Sequence, residues 1–216
     1  MSINQKKQTK KGFTLIEMIV VIAIIATVTV IVLFNSGRLN SAILVSNTAY
    51  EIGLIVRESQ VAGLGVRATT DGGNVGFNTS HGVFIDRANP TQVILFADKN
   101  GNGMYDSVAG EMTQEYNIQN KRAGTILSIC AKRSDSVGPC TTTTNTYTVA
   151  DTVSVVFTRP NPEAFFTLTR PASAPEIHMG TMVITVGFPN DMCRSIAIEK
   201  TGAVQVDSTY CPVVIN

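Results

Sequence analysis

The chain has no tryptophan, and aromatic residues make up only 6% of its 216 positions. It has two histidines, His81 and His178, nearly a hundred residues apart. No GxSxG, HExxH, P-loop or Rossmann glycine fingerprint occurs. No pair of carboxylates is spaced as a recognisable acid/base site. These absences argue against an enzyme. Cysteine is missing before position 130, and no CxxC or CxH spacing follows, which removes the usual zinc motifs. Excess charge of either sign is missing too, with 17 basic and 16 acidic residues. A general nucleic-acid binder carries a basic patch or stripe. Here only the pairs Lys121–Arg122 and Lys132–Arg133 offer one, and exposed pairs of this kind are usually solvated surface.

What the chain does have is one long apolar run, Phe13 to Phe34, in which Glu17 is the sole charge. As a helix, its 22 residues reach about 33 Å, the thickness of a bilayer's hydrocarbon core. The run is rich in β-branched residues, but strands rarely exceed about 10 residues, so length decides for a membrane helix. Lys6, Lys7, Lys10 and Lys11 precede it with no acid among them. The positive-inside rule keeps that end cytoplasmic and sends the rest across. An ordinary secretory signal would have a shorter apolar region and a small-residue cleavage site after it. Here the small residue, Gly12, comes before the run. Glu17 is the anomaly, because a lone carboxylate in hydrocarbon is costly unless it is paired.

The stretch "KKGFTLIEMIVVIAIIA" (10–26) resembles the N-terminal signature of type IV pilins and type II secretion pseudopilins. The resemblance implies a leader, 1–12, removed by a membrane-embedded prepilin peptidase between Gly12 and Phe13. It implies N-methylation of Phe13 and a transmembrane helix over 13–34. It gives Glu17 a partner, since its carboxylate meets the new Phe13 amine of a neighbouring subunit in an assembly ion pair that fixes axial register. Other pilin or pseudopilin subunits and an inner-membrane assembly platform are the further partners implied. The place implied is the inner membrane, N-terminus in the cytoplasm, and then the pilus or pseudopilus. Phe34 stands where many major pilins have proline, which leans towards a minor subunit. Without its four leader lysines the chain has 13 basic and 16 acidic residues, net −3.

Beyond the membrane run, 35–67 reads as an amphipathic continuation of the helix, with a bend near Gly37. Ile43, Tyr50, Leu54 and Val61 form one apolar face, expected to pack on the domain that follows. "AGLG" (62–65) is the expected stop, using glycine at positive φ. From 68 to 216 short apolar runs alternate with turn residues, the pattern of an antiparallel β-rich domain. Strands are expected at 81–86, 91–97, 124–130, 153–159, 163–169, 182–188, 193–200 and 202–206. "KTGA" turns the last hairpin, while "RPNPEA", "RPASAPE" and "TTTTNTYT" (141–148) read as loops. The fold class is therefore α+β and pilin-like.

Cys130, Cys140, Cys193 and Cys211 all follow the membrane run, on the oxidising side, and read as disulfides. Three pairings are possible, and local closure favours Cys130–Cys140 and Cys193–Cys211. In "DKNGNGMYD", Asp98, Asn100, Asn102, Met104 (through its carbonyl) and Asp106 occupy the odd positions of an EF-hand-like loop, with Gly103 at the turn. Position 12, normally glutamate, is Ala109, with Glu111 two residues on, so a self-bonded turn competes with a calcium site. The order "ESQVAGLGVR", "GVFID", "ILFADKNGNGMYD", "FTRPNPEAFF" and "CRSIAIEKTGAV" loosely resembles H-type minor pseudopilins and FimT-like minor pilins. Some FimT-like proteins take up DNA through C-terminal basic residues. The closing "EKTGAVQV" lacks an arginine pair, so that resemblance stops short of DNA. The expected function is structural: a minor subunit of a pilus or pseudopilus, acting in assembly, initiation or at the tip. The alternatives are a DNA-uptake minor pilin and an adhesion or binding module on a simple anchor.

Overall fold

Thr14 is a good N-cap residue placed just ahead of an apolar run, and helix α1 starts directly after it, spanning Leu15–Leu64. The computed structural model describes residues 12–65, 69–71, 74–76, 79–118, 124–132, 147–170, 173–178, 180–188 and 192–207. The chain divides into two units, Met1–Asn40 and Ser41–Asn216. In the first, Leu15–Phe34 is long and apolar enough to cross a membrane, and none of it is buried. Its threonines add no unpaired hydroxyls, since Thr27 and Thr29 donate to the carbonyls of Ile24 (2.9 Å) and Ile25 (2.7 Å).

In the second unit the helix buries Val45, Ala49, Ile52, Ile55, Val56 and Ala62. This is not the face expected from sequence. Ile43, Tyr50, Leu54 and Val61 are 59%, 59%, 69% and 71% exposed. The reason is steric. A Cβ at Gly63 would collide with the Phe157 carbonyl, and Gly53 lies in ordinary contact with Val204 and Val206. The sheets approach too closely for the larger stripe, and the smaller, β-branched stripe takes the inside. The helix does end at the expected AGLG, with the Gly65 amide donating to Val61 O at 2.8 Å. Gly65 is not left-handed there, contrary to the positive φ expected of it.

The strands are β1 (Thr69–Asp71), β2 (Asn74–Gly76), β3 (Ser80–Asp86), β4 (Gln92–Asp98), β5 (Met112–Asn117), β6 (Thr125–Lys132), β7 (Tyr147–Ala150), β8 (Thr152–Phe157), β9 (Ala164–Thr169), β10 (Glu176–His178), β11 (Thr181–Gly187), β12 (Cys193–Ile198) and β13 (Val204–Asp207). β1 and β2 form a hairpin. The others make a six-stranded sheet, ordered β10-β9-β8-β3-β4-β5, and a five-stranded sheet, ordered β13-β12-β11-β6-β7. Every pairing is antiparallel. One core joins helix and sheets, with Ile52 and Val56 meeting Val83, Leu95, Phe157 and Phe166 from one sheet and Ile129, Ile184 and Ile196 from the other. All eight expected strands are present. Tyr147 and Thr148, expected in the Thr-rich loop, belong to β7, and the rest of that stretch lies outside the described residues.

Gln60, 8% exposed, ties helix and sheets together. Its Nε2 donates to the carbonyls of Pro162 (3.3 Å), between β8 and β9, and Gly202 (3.2 Å), in the β12–β13 turn. Gly202 has φ +84°, and a Cβ there would strike both the Pro162 carbonyl and the Gln60 amide. Gly202→Ala is expected to cost about 3 kcal/mol from left-handed strain plus the clash. In a domain this size that lowers the melting midpoint by roughly 10 °C. An unchanged midpoint would show that the hairpin reshapes at little cost.

Candidate assembly site and the 98–111 loop

Gly12 and Phe13 precede the first helical turn outside regular structure. A Cβ at Gly12 would meet nothing within 4 Å and Phe13 is 79% exposed, so no described residue covers the bond between them. Thr14 caps the helix, its hydroxyl accepting from the Glu17 amide at 3.3 Å. Glu17 is thus the third helical residue, where a carboxylate faces the positive end of the helix dipole. Its amide is engaged, but its carboxylate meets no partner among the described residues. The Phe13 amine expected to pair with it does not exist before cleavage, and Lys6, Lys7, Lys10 and Lys11 lie outside the described residues.

The loop after β4 is held by its own backbone amides. Asp98 accepts from Asn102 N (3.1 Å) and Gly103 N (3.0 Å). Asn100 accepts from Asn102 N (3.0 Å), Asn102 from Met104 N (2.8 Å), and Asp106 from Val108 N (3.0 Å). Gly101 and Gly103, both at φ +72°, allow the chain to coil this tightly. Glu111 closes the loop. Only 1% exposed, it accepts from Lys99 N (3.0 Å) with one oxygen and Asp106 N (2.9 Å) with the other. The sequence offered Glu111 as a substitute calcium ligand, and its contacts here are amides at both ends of the loop. Among the described residues, no group of three or more His, Cys, Asp or Glu is placed to hold a metal ion.

The closed loop folds over the outer face of the six-stranded sheet. The Tyr105 ring lies 5.0 Å from Phe84 and 5.6 Å from Phe96, centroid to centroid. Its amide donates to Ser154 Oγ at 3.2 Å, on β8, and Gly103 packs near Thr167 on β9. Phe96, outside the main core, is fully buried as a result. Burial raises the Tyr105 phenol above its ordinary range, and the carboxylates of Glu111, Glu115 and Asp106 push the same way.

Cys130 and Cys193 are buried and disulfide-bonded, while Cys140 and Cys211 lie outside the described residues. So do Lys121, Arg122 and Arg133, and Lys132 is half-buried at the end of β6. Among the described arginines, Arg57 bonds Gln60 (2.9 Å), Arg87 pairs with Asp151 (3.9 Å), Arg170 with Glu176 (2.6 Å) and Arg194 with Ser46 (3.0 Å).

Residues 7–33 match a family model described as the prokaryotic N-terminal methylation motif. No curated protein and no solved structure matches the chain. The match takes in the helix start and nearly all of the membrane run and none of the β-rich unit. The chain therefore carries the type IV pilin and pseudopilin signature on an α+β, pilin-like fold, an apolar N-terminal helix followed by an antiparallel β-rich domain.

Proposed function

We propose that this chain is a minor pilin or pseudopilin, a structural subunit made as a prepilin and built into a pilus or pseudopilus through its helix. The observation that carries the reading is the helix start. A Gly12–Phe13 bond that no described residue covers, a capped first turn and a Glu17 carboxylate with no partner among the described residues stand in register with the methylation motif. Processing cuts after Gly12 and methylates Phe13. The β-rich unit stands outside the inner membrane, N-terminus in the cytoplasm, with disulfides Cys130–Cys140 and Cys193–Cys211. Prepilin peptidase, other pilin-type subunits and the assembly platform are its partners.

The exposed helix stripe supports the same reading. Ile43, Asn47, Tyr50, Leu54, Arg57 and Val61 follow one another at alternating spacings of four and three, and all face outward. That is the spacing of a coiled-coil seam, and four of the six are apolar or aromatic. The β-rich unit already has its core without them, which leaves the seam for the helix of another subunit. The DNA-uptake alternative draws no support from Arg87, Arg170 and Arg194, whose polar partners lie within the chain.

Intact mass and N-terminal mapping, after co-expression with a prepilin peptidase, test the proposal. The wild-type chain is expected to begin at Phe13 with one added methyl, and Gly12→Ala to stay full length. Persistence of Met1–Gly12 beside active peptidase would remove the amine that Glu17 needs and favour a simple membrane anchor.

A further inference from the structure

We infer that Asn100 is a site of spontaneous covalent modification, deamidation through a cyclic imide, and that Asp98 shields the neighbouring Asn102 from the same reaction. The 98–111 loop carries two Asn-Gly steps in a row, Asn100–Gly101 and Asn102–Gly103. In such a step the glycine nitrogen attacks the asparagine side-chain carbon, and no Cβ on the glycine hinders its approach. By sequence the two steps are equivalent. The structure separates them.

Both asparagines are exposed, and both side chains are turned the same way. Asn100 Oδ1 accepts from Asn102 N at 3.0 Å, and Asn102 Oδ1 accepts from Met104 N at 2.8 Å. Each bond curls the side chain over the peptide that follows it. Each also draws charge onto the carbonyl oxygen, where the attack places a negative charge. The two electrophiles therefore match, and the nucleophiles do not. The Gly103 amide donates to Asp98 Oδ2 at 3.0 Å, and Asp98 is itself buried. Attack by Gly103 N must break that charge-assisted bond and develop charge beside a carboxylate. The Gly101 amide is exposed and has no hydrogen-bond partner among the described residues. Nothing lies within 4 Å of where a Cβ on Gly101 would stand. Hydroxide can reach that amide and take its proton.

In the reaction a bond forms between Gly101 N and Asn100 Cγ. The Cγ–Nδ2 bond breaks, and Nδ2 leaves as ammonia, with its proton supplied by solvent. Water then opens the ring at either carbonyl. One product is aspartate, and the other is isoaspartate, whose backbone runs through the former side chain. Nothing is oxidised or reduced, and water is the only co-reactant. Either product adds a negative charge to an exposed loop of the β-rich unit. Aspartate keeps an acceptor for Asn102 N, whereas the longer backbone of isoaspartate does not hold the same turn.

The test incubates the full chain in detergent at mildly alkaline pH, native and unfolded in guanidinium. Peptide mass mapping, with fragment ions that separate Asn100 from Asn102, follows both conversions. In the native chain Asn100 is expected to convert first. Asn102 should lag on the order of tenfold, the rate equivalent of one hydrogen bond to a carboxylate. In guanidinium the two rates should converge. Asp98→Ala should bring Asn102 up towards Asn100 in the native chain, with tyrosine emission reporting that the loop stays closed. If that variant opens the loop, the wild-type rates decide alone. Equal native rates, a faster Asn102, or an Asn100 that does not convert overturns the inference. So does a native ratio that persists in guanidinium, since the local sequence and not Asp98 would then set it.

Discussion

Glu111→Ala is expected to release the 98–111 loop and lower the melting midpoint of the chain by roughly 10 °C. The cause is the number of amides that one buried carboxylate serves. Its two oxygens take the amides of Lys99 and Asp106, with a longer contact to Asn100 at 3.4 Å. Alanine leaves these part-buried donors without their acceptor. Each buried orphan costs about 1–3 kcal/mol, so the total is about 3–4 kcal/mol. Glu111→Gln keeps one acceptor oxygen and should fall between. Because the chain has no tryptophan, tyrosine emission is readable directly, and it should change as Tyr105 leaves Phe84 and Phe96. Chelation by EGTA is expected to leave the wild-type midpoint in place, since the loop's carboxylates already have amide partners. A drop of several degrees would put a cation among Asp98, Asn100, Asn102, the Met104 carbonyl and Asp106. Alkali acts on the same element. The folded chain holds Tyr105 neutral where the unfolded chain ionises it, so stability declines as pH rises past about 10.

The loop also marks how far the sequence could be read. Asp98, Asn100, Asn102 and Gly103 announce a tight turn in any chain, since their side chains and φ freedom act locally. That Glu111 would close it, and that Tyr105 would cover β3 and β4, depends on the order of strands in the sheet, which no local pattern encodes. The same division runs through the fold. The membrane helix and the eight apolar strands were legible because each carries its own periodicity or length. β5, "MTQEYN", has no alternation, and none of its residues is buried. It is a strand because β4 offers it an edge. β10 has three residues, too few to show a period. The helix face was misread for a physical reason. Periodicity shows that two stripes exist, but only the close approach at Gly63 shows that the smaller-residue stripe goes inside. The start of the helix was legible to within a few residues, since Gly12 and Glu17 bracket it. The Thr14 cap was missed there, although Thr-x-x-Glu was visible.

Glu17→Gln is expected to leave cleavage and methylation intact and to reduce incorporation into filaments on the order of a hundredfold. Glutamine keeps the size, the polarity and the capping-box spacing of glutamate, so the helix starts where it did. What it removes is the charge, and an ion pair broken from one side leaves the other charge without compensation. On the proposed filament reading that other charge is the neighbour's Phe13 amine, so each altered subunit would harm a contact it does not itself own. Glu51→Gln is the matched control. Glu51 is also helical and exposed, but it lies in the β-rich unit, and its loss should change incorporation little. The measurement is the share of cleaved subunit recovered with sheared filaments against the share left in the membrane, for both variants. Equal incorporation of Glu17→Gln and wild type would return Glu17 to a solvated residue at the membrane edge. Loss in Glu17→Gln with none in Glu51→Gln would locate the assembly contact in the first turn of the helix. The seam from Ile43 to Val61 would then supply packing along a register that the charge has already chosen.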